Sequence, residues 1–161
     1  MNGSAPAKDR AFSALAYVMP LASVLQAGNY YFLPFLREQA PAVSNLLNLL
    51  LLPISPLLAI ENSILGLGVF ILLFAFVVRN PEISRFIRFN VLQAIMVSFV
   101  ISILVFCIIT LGIAGLFIGE TLLNVLCLGG FAIVGYSVAQ SILGQYAEIP
   151  TISDAINMQL P

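Results

Sequence analysis

Apolar stretches long enough to cross a lipid bilayer constrain this sequence more than any other feature. A membrane-spanning helix needs about 20 apolar residues. Four stretches meet this need, with predicted bounds of 11–29, 61–79, 89–111 and 121–143. Only 8% of the 161 residues are charged, whereas about a quarter are charged in a soluble domain. We therefore predict an all-α, polytopic membrane protein, with residues 1–161 forming a single domain of four transmembrane helices.

A fifth apolar stretch, residues 43–60, contains two prolines, and its placement is ambiguous. Basic residues favour the cytoplasmic side of a membrane. With four spans, only Arg37 lies opposite the other basic residues, which are Lys8, Arg10, Arg79, Arg85 and Arg88. With five spans, this positive charge would be divided between the two sides. We therefore predict that residues 43–60 form an interfacial or re-entrant segment between the first and second spans, and that both termini lie on the cytoplasmic side.

The side chains that most enzymes and metal sites use are scarce in this chain. It has no histidine, which excludes the Ser-His and Cys-His nucleophilic arrangements and all metal sites built on histidine. The acidic residues lie singly near span ends or in the tails, so no predicted span contains a pair of carboxylates. The net charge of −1 gives no basic surface for nucleic acid. We predict no enzymatic activity, no cofactor, no metal and no nucleic-acid partner.

The two cysteines, Cys107 and Cys127, lie within the third and fourth predicted spans. Antiparallel neighbouring helices would place them at comparable depth, so a disulfide between them is one alternative. Unbridged cysteines that act as small apolar residues are the more common case in membrane helices, and this is our prediction.

The stretch RNPEISRFIRFNVLQAI, residues 79–95, holds three of the six basic residues. A helix that starts at Pro81, with Asn80 as its cap, places Arg85 and Arg88 on one face. Helical spacing puts Phe86, Asn90 and Gln93 on another face. The arginines, with Phe86 and Phe89, are typical of the headgroup region. Asn90 and Gln93 lie deeper, where amides usually bond to a partner helix.

Small and polar residues suggest where such a partner helix could pack. On the third predicted helix they form a narrow seam, which consists of Asn90, Ala94, Ser98 and Ser102. The fourth offers a matching set: Asn124, Gly130, Gly135, Ala139 and Gln140. We interpret both sets as surfaces of close helix packing. A water-lined path, or small residues that only fill a tight bundle, are the alternatives.

Three stretches of the chain resemble one known family. They are FSALAYVMPL near the start, VVRNPEISRFIRFNVLQAI in the middle and QYAEIPTISDAINMQ near the end. They are similar to the twenty-kilodalton subunit family of the chloroplast inner-envelope (Tic) protein translocon, in its cyanobacterial-type members. Ala16 departs from the family pattern, which usually has proline there. The residues shared with the family are Tyr17, Pro20, Arg79, Asn80, Arg85, Phe86, Arg88, Phe89, Asn90 and Gln93.

The resemblance implies an integral membrane subunit of a Tic-like protein-translocation complex, which contributes to a polypeptide channel or to its scaffold. The implied partners are other membrane subunits, further copies of the chain, a translocating polypeptide and the lipid bilayer. The implied location is a cyanobacterial plasma or thylakoid membrane or the plastid inner envelope, with both termini on the cytoplasmic or stromal side. A membrane assembly or scaffold protein and a small-solute channel are the alternatives.

Overall fold

The computed structural model describes residues 5–160, and within this range the chain is helical and contains no strand. The all-α prediction is confirmed. In chain order the helices are α1 (Ala7–Gly28), α2 (Phe32–Gln39), α3 (Pro41–Glu61), α4 (Ile64–Val78), α5 (Arg85–Thr110), α6 (Phe117–Leu143) and α7 (Ile152–Gln159). A short 3-10 segment, Leu52–Ile54, interrupts α3, and the second part of α4, Leu73–Val78, is π-helical.

Helix α1 is broken at Tyr17, between the segments Ala7–Ala16 and Val18–Gly28. Pro20 accounts for the break, because its ring nitrogen has no hydrogen to donate to the carbonyl of Ala16 one turn earlier. The side chain of Tyr17 is only 1% exposed. The break therefore lies at the position where a large polar side chain enters the core.

Helix α1 packs between α5 and α6, which contact each other much less than each contacts α1. Gly130 of α6 allows this approach, since a Cβ atom at that position would overlap the Val24 side chain of α1. The close packing predicted for the small residues of the fourth span is therefore found at Gly130, but its main partner is α1 and not the third predicted span. The two serines of the α5 seam face α1, where the Ser23 hydroxyl lies 2.9 Å from that of Ser98 and 3.0 Å from that of Ser102.

Helix α5 begins at Arg85, four residues later than the start predicted at Pro81. The Asn80 side chain does not cap a helix; its Oδ1 accepts a hydrogen bond of 2.9 Å from the backbone N–H of Glu82 and closes a turn. Ser84 is the helix cap, and its hydroxyl accepts from the N–H of Ile87 at 3.4 Å. Asn80 and Ser84 are both residue types that suit turns and helix caps, and it is Ser84 that caps the helix.

The two cysteines are free, so no disulfide joins α5 to α6, as predicted. Cys127 is fully buried at the contact between α6 and α1, where Gly28 approaches its sulfur closely. Cys107 lies on the exposed side of α5.

Four of the helices, namely α1, α3, α5 and α6, are long and apolar enough to cross a membrane, and α4 is shorter. Helix α4 nevertheless packs antiparallel along α5. The Phe70 and Phe99 rings are 4.8 Å apart between centroids, and near the other end Arg88 Nε donates to the Val78 carbonyl at 2.9 Å. By contrast, only 11% of the apolar window of α3 is buried. The crossing of residues 61–79, with residues 43–60 as an interfacial or re-entrant segment, stays a prediction.

Charge does not choose between α3 and α4 as the second span. No Lys or Arg lies between Arg37 and Arg79, so either helix gives four spans with the same basic residues on the same side. The short connection at Asn62 does distinguish them. It lies opposite the amino terminus if α4 crosses the bilayer, and on the same side as the amino terminus if α3 crosses.

We expect Asn62→Cys to react with an impermeant maleimide from the side opposite Lys8→Cys, because α4 packs along α5. Labelling would be measured in sealed, oriented vesicles, with both native cysteines replaced by alanine. A Glu82→Cys variant is the control and should react from the same side as Lys8→Cys. Labelling of Asn62→Cys from the Lys8 side would show that α3 is the second span.

Candidate functional site

The two amide side chains of the central motif, Asn90 and Gln93, are completely buried within α5 of the bundle. The Tyr17 hydroxyl of α1 donates to Asn90 Oδ1 at 3.0 Å and to Gln93 Oε1 at 3.2 Å. Since a tyrosine has one hydroxyl hydrogen, the two amide oxygens share it. An amide without a hydrogen-bond partner would cost free energy in a lipid environment. The Tyr17 hydroxyl, at the break in α1, is the donor to both amide oxygens.

The remaining polar groups of both amides are also paired. Asn90 Nδ2 donates to the Phe86 carbonyl at 2.9 Å, and Ser141 of α6 donates to Asn90 Oδ1 at 3.1 Å. Gln93 Nε2 donates to the Ala147 carbonyl, beyond the end of α6, at 3.0 Å. We call these groups the polar network: the side chains of Tyr17, Asn90, Gln93 and Ser141, with the Ala147 carbonyl. It connects α1, α5, α6 and the carboxyl-terminal segment at one place.

The carboxyl-terminal segment folds back onto α5 instead of leaving the bundle. Ala147 and Ile156 are completely buried. The Ser153 hydroxyl donates to the Ala147 carbonyl at 3.2 Å, so this oxygen accepts from both Ser153 and Gln93. Sequence reasoning assigned no contact to this segment. The only signal was that residues 145–159 resemble the family tail.

Two aromatic contacts and one hydrogen bond hold the same segment to the start of α5. The Tyr146 ring packs edge-on against Phe86, at 5.3 Å between centroids, and against Phe89, at 4.9 Å. Arg85 donates to Asn157 Oδ1 of α7 at 3.1 Å and lies over the Tyr146 ring. Phe86 and Phe89 are buried against protein, so the phenylalanines predicted to anchor at the headgroups belong to the core.

The structure brings some of the predicted residues together and keeps others apart. Tyr17, Asn90 and Gln93 belong to the polar network, and Pro20 accounts for the break that positions Tyr17. Arg79 and Arg88 lie elsewhere and line a separate cavity between α4, α5 and the end of α7. Sequence reasoning missed Ser141 and the Ala147 carbonyl, because a serine on a small-residue helix and a backbone carbonyl carry no pattern of their own.

The family model and the similar proteins that match this chain all point to the same family. Residues 7–156 match the family model described as "Chloroplast import apparatus Tic20-like". A "Tic20 family protein" from Synechocystis sp. is 42% identical over 164 residues, covering 99% of this chain and 97% of the relative. "Tic20 family protein Ycf60" of Porphyra purpurea is 30% identical, covering 94% and 75% respectively. "Protein TIC 20-II, chloroplastic" of Arabidopsis thaliana is 30% identical, covering 96% and 74%.

We expect Gln93→Leu to release the carboxyl-terminal segment, because it removes the donor to the Ala147 carbonyl while keeping an apolar side chain of similar size. Hydrogen–deuterium exchange of the amides in α7 should become about tenfold faster, as the loss of about 1–2 kcal/mol of local stability predicts. Gln39→Leu, at an exposed glutamine of α2, is the matched control and should leave this exchange unchanged. Unchanged protection in Gln93→Leu would mean that the polar network does not hold the segment.

Proposed function

The chain belongs to the Tic20-like family of the chloroplast import apparatus, and from this premise we propose that it is an integral membrane subunit of a protein-translocation complex. Its contribution is to the scaffold of a polypeptide path that several subunits build together. Both termini lie on the cytoplasmic or stromal side. The observation that carries the proposal is the distribution of polar groups: the polar network is internal, and α6 offers an exposed face of small residues for another helix.

The packing of α1 favours a polypeptide path that lies between subunits, and it argues against a channel inside a single chain. Helix α1 occupies the space between α5 and α6, with Val24 directly against Gly130. The amide side chains of α5 form hydrogen bonds with Tyr17, Ser141 and the Ala147 carbonyl. They are therefore not available to line a polar passage. A polypeptide in transit would require these helices to separate, which breaks the polar network, or would pass along an outer surface.

The outer face of α6 is the surface best suited to another membrane subunit. We define it by its exposed small residues, which are Gly129, Ala132, Gly135 and Ala139. A Cβ atom at Gly135 would meet no atom within 4 Å. Small residues let two membrane helices approach closely. At the margins of this face, Asn124 and Gln140 each have a buried side-chain oxygen that finds no hydrogen-bond partner within residues 5–160.

Photocrosslinking from the outer face of α6 tests the proposal. A benzophenone amino acid would replace Tyr136, which lies on this face and is 42% exposed, and Phe106 of α5, 66% exposed, is the control. Asn90 and Gln93 are unsuitable positions because they are fully buried. With a defined preprotein arrested in transit in membrane vesicles, we expect adducts from position 136 to membrane subunits of the complex, and essentially none from position 106.

A substitution pair strengthens the test. Gly135→Leu should abolish the adducts by filling the outer face, whereas Gly68→Leu should not, although Gly68 of α4 is equally free of neighbours. Adducts from position 136 to the arrested preprotein would assign this face to the polypeptide path itself. Adducts to neither protein would contradict the proposed role in a translocation complex.

A further inference from the structure

We propose that Arg79 and Arg88 bind the anionic headgroup of a phospholipid in a cavity between α4, α5 and the end of α7. The cavity has a volume of about 410 Å³. It is lined by Phe74, Val78, Arg79, Arg88, Leu92, Gln159 and Leu160. This site is separate from the polar network and goes beyond the proposed function.

The two arginines give the cavity its charge. Arg88 Nε donates to the Val78 carbonyl at 2.9 Å, which fixes the guanidinium and leaves its terminal nitrogens for a ligand. Arg79 follows Val78 directly at the end of α4 and is exposed. Within residues 5–160, no acidic side chain lines the cavity. The described lining therefore places two positive charges together without a carboxylate side chain beside them. Arginine is the side chain whose geometry best matches phosphate oxygens.

The apolar part of the lining identifies the ligand as a lipid. Phe74, Val78, Leu92 and Leu160 form the wall beside the two arginines. Free phosphate would gain nothing from this wall, whereas an acyl chain would bury apolar surface against it. The arginines also lie at the ends of two apolar helices, where lipid headgroups are found. Basic pockets between membrane helices on the cytoplasmic side are suited to anionic lipids.

The third arginine of the motif is a natural control. Arg85 is also exposed, but its side chain donates to Asn157 and lies over the Tyr146 ring. It does not line the cavity. If anionic lipids were attracted only by the positive charge of this end of the molecule, removal of Arg85 would weaken lipid binding as much as removal of Arg79.

Native mass spectrometry of the full chain in mild detergent tests the proposal, with phosphatidylglycerol, phosphatidylcholine and inorganic phosphate as probes. We expect retention of one phosphatidylglycerol in preference to phosphatidylcholine. Arg79→Gln should weaken this retention about tenfold, the loss expected for one charge-assisted contact. Arg85→Gln should leave it unchanged. Equal retention of both lipids, or an equal loss in the two variants, would overturn the proposal.

Two further measurements distinguish a bound lipid from a bound free anion and from a folding defect in the variant. Displacement of phosphatidylglycerol by millimolar inorganic phosphate would assign the site to the free anion and overturn the lipid proposal. Phosphatidylglycerol should raise the Tm of the unaltered chain and of Arg85→Gln, but not that of Arg79→Gln. The Tm values of all three proteins in phosphatidylcholine should agree, which shows that Arg79→Gln still folds. A Tm rise of equal size in Arg79→Gln would contradict a headgroup site at this arginine.

Discussion

The hydrogen bonds from Tyr17 to Asn90 and Gln93 determine how the helices of this protein can be arranged. In a bilayer the lipid tails are as apolar as the side chains of the helices, so burial of apolar surface does not select one helix neighbour over another. Polar groups do favour particular helix neighbours, because a polar group in hydrocarbon without a hydrogen-bond partner costs free energy. Here the selection places α1 between α5 and α6 and brings the carboxyl-terminal segment back to α5.

The geometry of α1 follows from the same constraint. The break at Tyr17, three residues before Pro20, gives up a backbone hydrogen bond at the depth where the amides of α5 need a donor. Small residues then allow the close contact that the hydrogen bonds require, with Gly130 against Val24 and Ser23 against the serines of α5. The outer face of α6 also consists of small residues, but no other helix within residues 5–160 covers it. We therefore propose that a helix of another subunit packs there.

Sequence reasoning predicted those features that depend on residue type and spacing alone. Apolar length indicated the helical membrane class, and helical spacing separated Arg85 and Arg88 from Asn90 and Gln93. It could not identify the partners of the amides, because α1 and α6 both offer polar and small residues. It assigned the whole seam of α5 to α6, whereas the serines of this seam contact Ser23 of α1. It also missed the return of the carboxyl-terminal segment, since the contact is to a backbone carbonyl.

A double-mutant cycle between Tyr17→Phe and Asn90→Ala measures the central interaction most directly. The free energy of unfolding of the two single variants and of the double variant would be determined by denaturant titration in detergent. We predict a coupling energy of about 1 kcal/mol, because Asn90→Ala removes one of the two acceptors of the Tyr17 hydroxyl. Additive effects, with no coupling between the two positions, would contradict the role of this hydrogen bond in arranging the helices.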